Sequence, residues 1–213
     1  MMRTGRFLTV EGIEGVGKTT QVACLSKTLS ERGIAHVVTR EPGGTPLAER
    51  IRDLVLSPRE EGLPPTAELL LMFAARAVHL ANHIEPNLIA GNWVVCDRFT
   101  DATYAYQGAG RGISQDDIRY LETWVQGARR PDLTLLLDVP VEVGLARSRK
   151  RDVGKIRDRF ERERAEFFER VREGYLLRAR ADPDRMAVID AVAPVDEVTA
   201  RITEVLESKS WIS

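Results

Sequence analysis

Between the apolar run Phe7 to Val10 and a stretch of helical period starting at Thr19 lies Gly12-Ile13-Glu14-Gly15-Val16-Gly17-Lys18-Thr19, which fits G-x-x-x-x-G-K-[ST]. This pattern requires a strand, a loop and a helix in that order. Its glycines let successive backbone N–H groups converge on phosphate oxygens without Cβ obstruction, and the helix that follows points its positive dipole end at the same anion. Lys18 then reaches the β- and γ-phosphates, and the Thr19 hydroxyl is set to ligate Mg²⁺. Gly12, Ile13, Glu14, Gly15, Val16, Gly17, Lys18, Thr19 and Thr20 are therefore the expected ATP-holding set.

The rest of the chain supplies the fold that such a loop needs. Short apolar runs at Phe7 to Val10, Ala35 to Thr39, Trp93 to Cys96, Leu133 to Asp138 and Met186 to Ile189 alternate with longer helical stretches, the pattern of an α/β fold with a parallel sheet. The spacing predicts a helix from Thr19 to Arg32 closed by Gly33, and a long one from Thr66 to Ala90 with a candidate break at Pro86. Ser114 and Asp117 read as a capping box opening Gln115 to Gln126, and Val195 to Glu207 reads as a final helix. At 213 residues, 43% of them hydrophobic, one core and one domain over 1–213 are expected.

A net charge of -1 gives no global attraction to nucleic acid or an anionic membrane, so anions must be caught locally. No apolar run suits a signal peptide or a membrane span, and the expected location is cytoplasmic. Cys24 and Cys96 lack metal spacing and read as buried small hydrophobes. His79 and His83 stand four apart, but Leu80 occupies the place of a zinc-protease glutamate, which argues against a metal.

The second substrate separates the phosphate-loop classes. No asparagine is followed by lysine, so the guanine-reading Asn-Lys-x-Asp is absent. Asp97-Arg98 follows the strand Trp93 to Cys96, at the carboxyl end where open α/β sheets bind ligands. There Arg98 can grip an acceptor phosphate, or the two can simply pair with each other. The chain also carries Thr39-Arg40-Glu41-Pro42-Gly43-Gly44-Thr45, Asp97-Arg98-Phe99, Tyr106-Gln107-Gly108 and Arg111-Gly112. Through these motifs, in this order and over nearly its whole length, it resembles the bacterial-type thymidylate kinases. The resemblance implies a P-loop kinase fold with a five-stranded parallel sheet flanked by helices, a homodimer, and a reaction in which ATP phosphorylates thymidine monophosphate (dTMP). The alternatives are another small-molecule kinase or an ATP-dependent nucleic-acid-binding switch. The second has thin support, because the arginine-rich stretch offers no aromatic platform for bases.

The acceptor phosphate is already mostly ionised at neutral pH, so the site needs alignment and positive charge rather than a strong base. Lys18 and Arg98 are the expected catalytic charges, and Thr19 and Asp97 the expected Mg²⁺ ligands. Glu14 cannot bind phosphate by charge, and the resemblance gives it the deoxyribose 3′-OH. The resemblance also implies that Arg76 meets the thymine carbonyl, that Thr103 and Gln107 lie near the ring edge, and that Tyr106 blocks a 2′-OH. From the residues alone, Arg76 also suits a solvated helical face and Tyr106 an ordinary core. Met72 or Phe73 stacks on the base: register favours the first, stacking chemistry the second. Arg40, Pro42 and Arg52 complete the expected pocket.

From Arg147 to Arg164 there are seven arginines and two lysines against four acids. Such a cluster repels itself until it closes on an anion, and we expect an arginine-rich lid over residues 147–159. Some members of the family that the chain resembles place a basic residue inside the phosphate loop, where Ile13, Glu14, Gly15 and Val16 offer none. The resemblance, by the spacing of lid arginines in the bacterial type, implies Arg147, Arg149 and Arg151 as the source of that charge. Arg162 and Arg164 alternate with Glu161 and Glu163, as solvated helical pairs do.

Overall fold

A computed structural model describes residues 5–58, 60–151, 159–160 and 163–212. Five strands, β1 (Phe7–Glu11), β2 (His36–Arg40), β3 (Trp93–Asp97), β4 (Leu133–Asp138) and β5 (Met186–Asp190), form one parallel sheet in the order β2-β3-β1-β4-β5. β1 is central, flanked by β3 (Val10 beside Asp97) and β4 (Glu11 beside Leu136). It is buried along its whole length, as a strand covered by helices on both faces must be, whereas β2 and β5 at the edges are partly exposed. The order reverses across β1, so the loops after β1 and β3 emerge side by side at the carboxyl end of the sheet.

The helices are α1 (Lys18–Glu31), α2 (Pro46–Leu56), α3 (Pro65–His79), α4 (Glu85–Ile89), α5 (Thr100–Thr103), α6 (Gln115–Gln126), α7 (Val141–Arg151), α8 (Ala165–Ala181) and α9 (Val195–Ser208). Each end has a local cause. Past α1, Gly33 takes a left-handed φ of 67°, and the Gly33 and Ile34 amides bond back to Ser30 and Leu29. Thr45 caps α2 by accepting from the Ala48 amide, with Pro46 in the first turn.

Three local expectations are corrected. The break expected at Pro86 comes earlier and as a π-helical turn, Leu80–Ile84, which separates α3 from α4 just before Pro86, a residue with no N–H for the carbonyl one turn back. Ser114 caps α6 through the amide of Asp116 rather than Asp117, so the bond expected of a capping box is displaced by one residue. Cys96 is buried, its thiol donating to the Arg98 carbonyl at 2.9 Å, but Cys24 is only half-buried. A second π-helical stretch, Tyr104–Gly110, runs on from α5 and carries the Tyr106-Gln107-Gly108 motif.

Asp101 ties the two halves together. Burial would push its carboxyl up, but Arg185 and Arg178 outweigh that and hold it below its ordinary value, with contacts of 2.7 and 2.8 Å. Through them α8 and the start of β5 are pinned under α5, which fixes α8 over the site.

Candidate active site

The loop from Gly12 to Gly17 leaves β1 and delivers the chain into α1. Gly12, at φ 134°, passes so close to the Leu137 carbonyl that any Cβ would collide with it; Gly15, at φ 75°, lies equally close to Gly144 of α7. Ile13 and Val16 turn into the core and anchor the loop. Gly17 precedes α1 without a side-chain cap, which leaves the first helical amides directed at the hollow above them. Lys18 curls over the loop and donates to the carbonyls of Gly12 (3.0 Å) and Ile13 (2.8 Å). Burial, with Arg98 nearby, pulls its ammonium down to about 8.

Two hollows open here and share Glu14, Glu41, Arg52 and Arg98. The first, over the loop, is lined by Gly15, Gly17, Lys18, Thr19 and Thr20, with Arg40, Asp97 and Arg147 around it. The second is narrower and more apolar, lined by Pro42, Leu56, Met72, Ala102, Tyr106, Gln107 and Phe160. A polyanion fits the first and a flat ring the second.

At the junction stands Arg98, with a left-handed φ of 72°, rare for a non-glycine and held by a dense network. Its Nη1 donates to the Gly12 carbonyl (3.0 Å) and to the Tyr175 hydroxyl (3.1 Å). Its Nη2 donates to Glu14 Oε1 (2.9 Å) and to the Tyr106 hydroxyl (3.0 Å), which itself donates to Glu14 Oε2 at 2.6 Å. Asp97 pairs with none of these: its Oδ1 is buried beside the phosphate hollow without a partner among the described residues.

Arg76 is 0% exposed, so it is no solvated face. Its Nε donates to Glu41 Oε2 at 2.7 Å and its Nη2 to Thr103 at 3.0 Å, while Nη1 is buried with no partner among the described residues. Gln107 is likewise half-satisfied: Nε2 donates to Glu68 at 2.7 Å, and Oε1 has no such partner. Met72 lines the base-sized hollow. Phe73 does not; it packs with Leu69, Tyr104 and Ile118, under the Arg76 guanidinium. Thr103 reaches the hollow only through Arg76. Pro42 lines it and accepts from Arg52 at 2.8 Å, and Arg40 pairs with Glu49 at 2.9 Å at the rim.

Of the three lid arginines, Arg147 donates to the carbonyls of Ala191 (2.9 Å) and Val192 (3.0 Å) at the edge of the phosphate hollow. Arg149 is exposed on α7. Arg151 ends that helix, and its side chain, like residues 152–158 of the expected lid and Arg162, lies outside the described residues. Nothing in the local sequence marked the roles of Glu11, Glu41, Glu68, His79 or Tyr175. Glu41 sits inside a motif that was read, but its role, bridging Arg76 and His79 Nδ1 (3.0 Å), depends on two helix residues 35 and 38 positions away. Among the described residues no cluster of three or more His, Cys, Asp or Glu could hold a metal unaided, and no helix is long and apolar enough to cross a membrane.

Comparison with known proteins agrees with this geometry. The family profile described as Thymidylate kinase matches residues 10–202. The thymidylate kinase of Chromohalobacter salexigens is 58% identical over 213 residues, covering 99% of this chain and all of that one. That of Alkalilimnicola ehrlichii is 54% identical over 214 residues, covering all of this chain and 98% of its own. The crystal structure of thymidylate kinase from Ehrlichia chaffeensis superposes with a TM-score of 0.78 at 36% identity, covering 96% of this chain and 99% of the other. With the family profile, relatives over the full length and a superposing crystal structure all pointing the same way, the chain belongs to the thymidylate kinase family.

Proposed function

We propose that this protein transfers the γ-phosphoryl group of ATP to dTMP, giving ADP and dTDP for DNA precursor synthesis, as a cytoplasmic homodimer. The observation that carries the reading is a pair of polar atoms unpartnered among the described residues: Arg76 Nη1, on a side chain held by the lining residue Glu41, and Gln107 Oε1, on a side chain that lines the narrow hollow. One is always a donor and the other an acceptor, which matches the adjacent carbonyl and N–H of thymine. Met72 offers a polarisable face to the ring, Pro42 a wall for the 5-methyl group, and Tyr106 crowds the 2′ position.

We assign Arg98, at the junction of the hollows, to the acceptor phosphate, and its partner Glu14 to the 3′-hydroxyl. Lys18, the loop amides and the lid arginines neutralise the oxygens that repel each other as donor and acceptor approach. The residues also fit Mg²⁺. Thr19 supplies a hydroxyl and Asp97 an unpartnered carboxylate oxygen on the same hollow, a sparse ligand set suited to an ion held mainly by phosphates. When bound, the ion withdraws charge from the phosphate oxygens. The homodimer is supported by apolar surface: Tyr120 and Trp124, one turn apart on α6, are 71% and 75% exposed, and Leu70 of α3 is exposed as well.

Coupled ADP release across monophosphates tests the reading. dTMP should turn over well, deoxyuridine monophosphate less well, and deoxycytidine monophosphate (dCMP) and ribonucleotides poorly. Leaving a buried donor or acceptor unpaired costs about 1 to 3 kcal/mol, so equal turnover of dCMP and dTMP would overturn the assignment.

A further inference from the structure

The orientation of one side-chain amide decides what the base hollow accepts, and the group that sets it lies behind the hollow, outside its lining. Gln107 could present either its oxygen or its NH₂ to a bound ring, because rotation about the last side-chain bond exchanges them. Arg76 has no such freedom, since a guanidinium only donates. With the oxygen inward, the two residues offer one donor and one acceptor. With the NH₂ inward they offer donors only, and the Gln107 position would then suit the bare ring nitrogen of cytosine.

We propose that Glu68 is the positioning residue that excludes the second arrangement and so sets the preference for thymine over cytosine. This rests on the base hollow assigned above. Glu68, in the first turn of α3, is fully buried and takes the Gln107 Nε2 proton on Oε1 at 2.7 Å. Its Oε2 faces two guanidiniums, Arg159 Nη2 and, at 3.4 Å, Arg111 Nε. These are ion pairs rather than directional hydrogen bonds, since Oε2 makes none among the described residues. Two guanidiniums flank this oxygen and favour the carboxylate form, which can only accept. A flipped Gln107 would set its oxygen against that carboxylate, with both side chains buried from bulk solvent. One orientation remains, with Oε1 toward the hollow, where it has no partner among the described residues.

The chain of contacts also reaches the far side of the expected lid. Arg159 precedes Phe160, which lines the hollow and meets the Tyr106 ring edge-on at 5.6 Å; Arg111 is held in turn by Glu163 at 2.6 Å. Glu68 thus joins the base-reading amide to the segment that follows residues 152–158.

The test compares kcat/KM for dTMP and for dCMP in the wild type, Glu68→Gln and Gln107→Leu, with thermal melting of each. Glu68→Gln offers Gln107 a donor as well as an acceptor and so permits the flip. It should lower the dTMP-to-dCMP ratio by about tenfold or more, the scale of one hydrogen bond in a discriminating site, while kcat for dTMP changes little. A purely structural role would lower activity toward both substrates alike. If a folded Glu68→Gln keeps the wild-type ratio while Gln107→Leu loses it, the role of Glu68 is overturned and the base hollow stands. If Gln107→Leu also keeps the ratio, the hollow itself has been misassigned. Should Glu68→Gln not fold, NMR of the Gln107 side-chain NH₂ in the wild type decides. Its protons should already be protected from exchange before dTMP is added; protection that appears only with dTMP would overturn the proposal.

Discussion

Two residues flanking the phosphate loop, Lys18 at the start of α1 and Glu11 at the end of β1, make pH-dependent predictions. The Lys18 ammonium is pulled down to about 8 by burial and then by Arg98, so above that pH the free protein must take up a proton to bind ATP with Lys18 charged. The expected dissociation constant for ATP is flat below about pH 8 and rises by up to about tenfold per unit above it. In Lys18→Ala the rise should vanish and turnover fall to background, with melting unchanged; titration calorimetry and kinetics check this. Glu11 shows the opposite shift. Burial first, then the charge of Asp101, raises its carboxyl from 4.5 to about 7. The folded state then holds a proton that the unfolded chain has released, so its contribution to stability is full below 4.5 and is lost as pH rises through 7. That loss is about 3 kcal/mol at 1.36 kcal/mol per unit. Glu11→Gln should remove this part of the pH dependence, read as the difference between wild-type and variant denaturation curves at pH 5 and 8. The place of Lys18 at the end of the phosphate loop was legible in the sequence; its bonds to the Gly12 and Ile13 carbonyls were not. The setting of Glu11 was not, because its Tyr175 partner lies 164 residues away.

At the scale of elements, the lid expectation divides. Arg147 is occupied with the carbonyls that follow β5, so its substitution should cost less than that of Arg151 at the end of α7. Arg151→Ala is expected to lower kcat by about 10³ or more with a small change in acceptor KM, the scale of an arginine finger. Arg149→Ala should lower it less, and Arg162→Ala almost not at all. Near-normal kcat in the 147, 149 and 151 variants alike would remove the lid as the source of the charge. All five strands were legible to within a residue at either end, because apolar runs ending in turn formers leave little choice. α2, α7 and α8 were not read. Thr45-Pro46 marks the start of α2 plainly in hindsight, whereas α8 directly follows the charge cluster that drew attention as a lid. The π-helical form of Tyr104–Gly110 has no periodic signature in seven residues; only packing against α8, where a Cβ on Gly174 would press on Ala109 at 2.7 Å, explains it.

For the whole molecule, the exposed α6 face should be the place where two copies meet. If the proposed dimer forms through this face, wild type should sediment at twice the monomer mass and Tyr120→Asp with Trp124→Asp at the monomer mass. An unchanged mass would put the interface on another face. A core of central buried strands and a polar carboxyl end leaves little latitude for where the substrates bind: the acceptor hollow takes residues from α2, α3, α5 and the π-helical stretch after it, all converging beside the phosphate loop.

By itself the sequence determined the phosphate loop, the parallel sheet and the family, because these depend on residues adjacent in the chain: glycines where backbone must approach phosphate, apolar runs where a strand is covered on both faces. It also named residues that line the narrow hollow, Pro42, Arg52, Met72, Arg98, Tyr106 and Gln107, but not how they are held. That Arg76 is buried with one donor unpartnered among the described residues, that Arg98 is gripped by Glu14, Tyr106 and Tyr175, and that Glu68 fixes Gln107 all depend on pairings between residues 8 to 84 positions apart in the chain. Only the tertiary structure decided them, since a hydrogen bond is set by distance and direction in space, and neither is written in the local pattern of the chain.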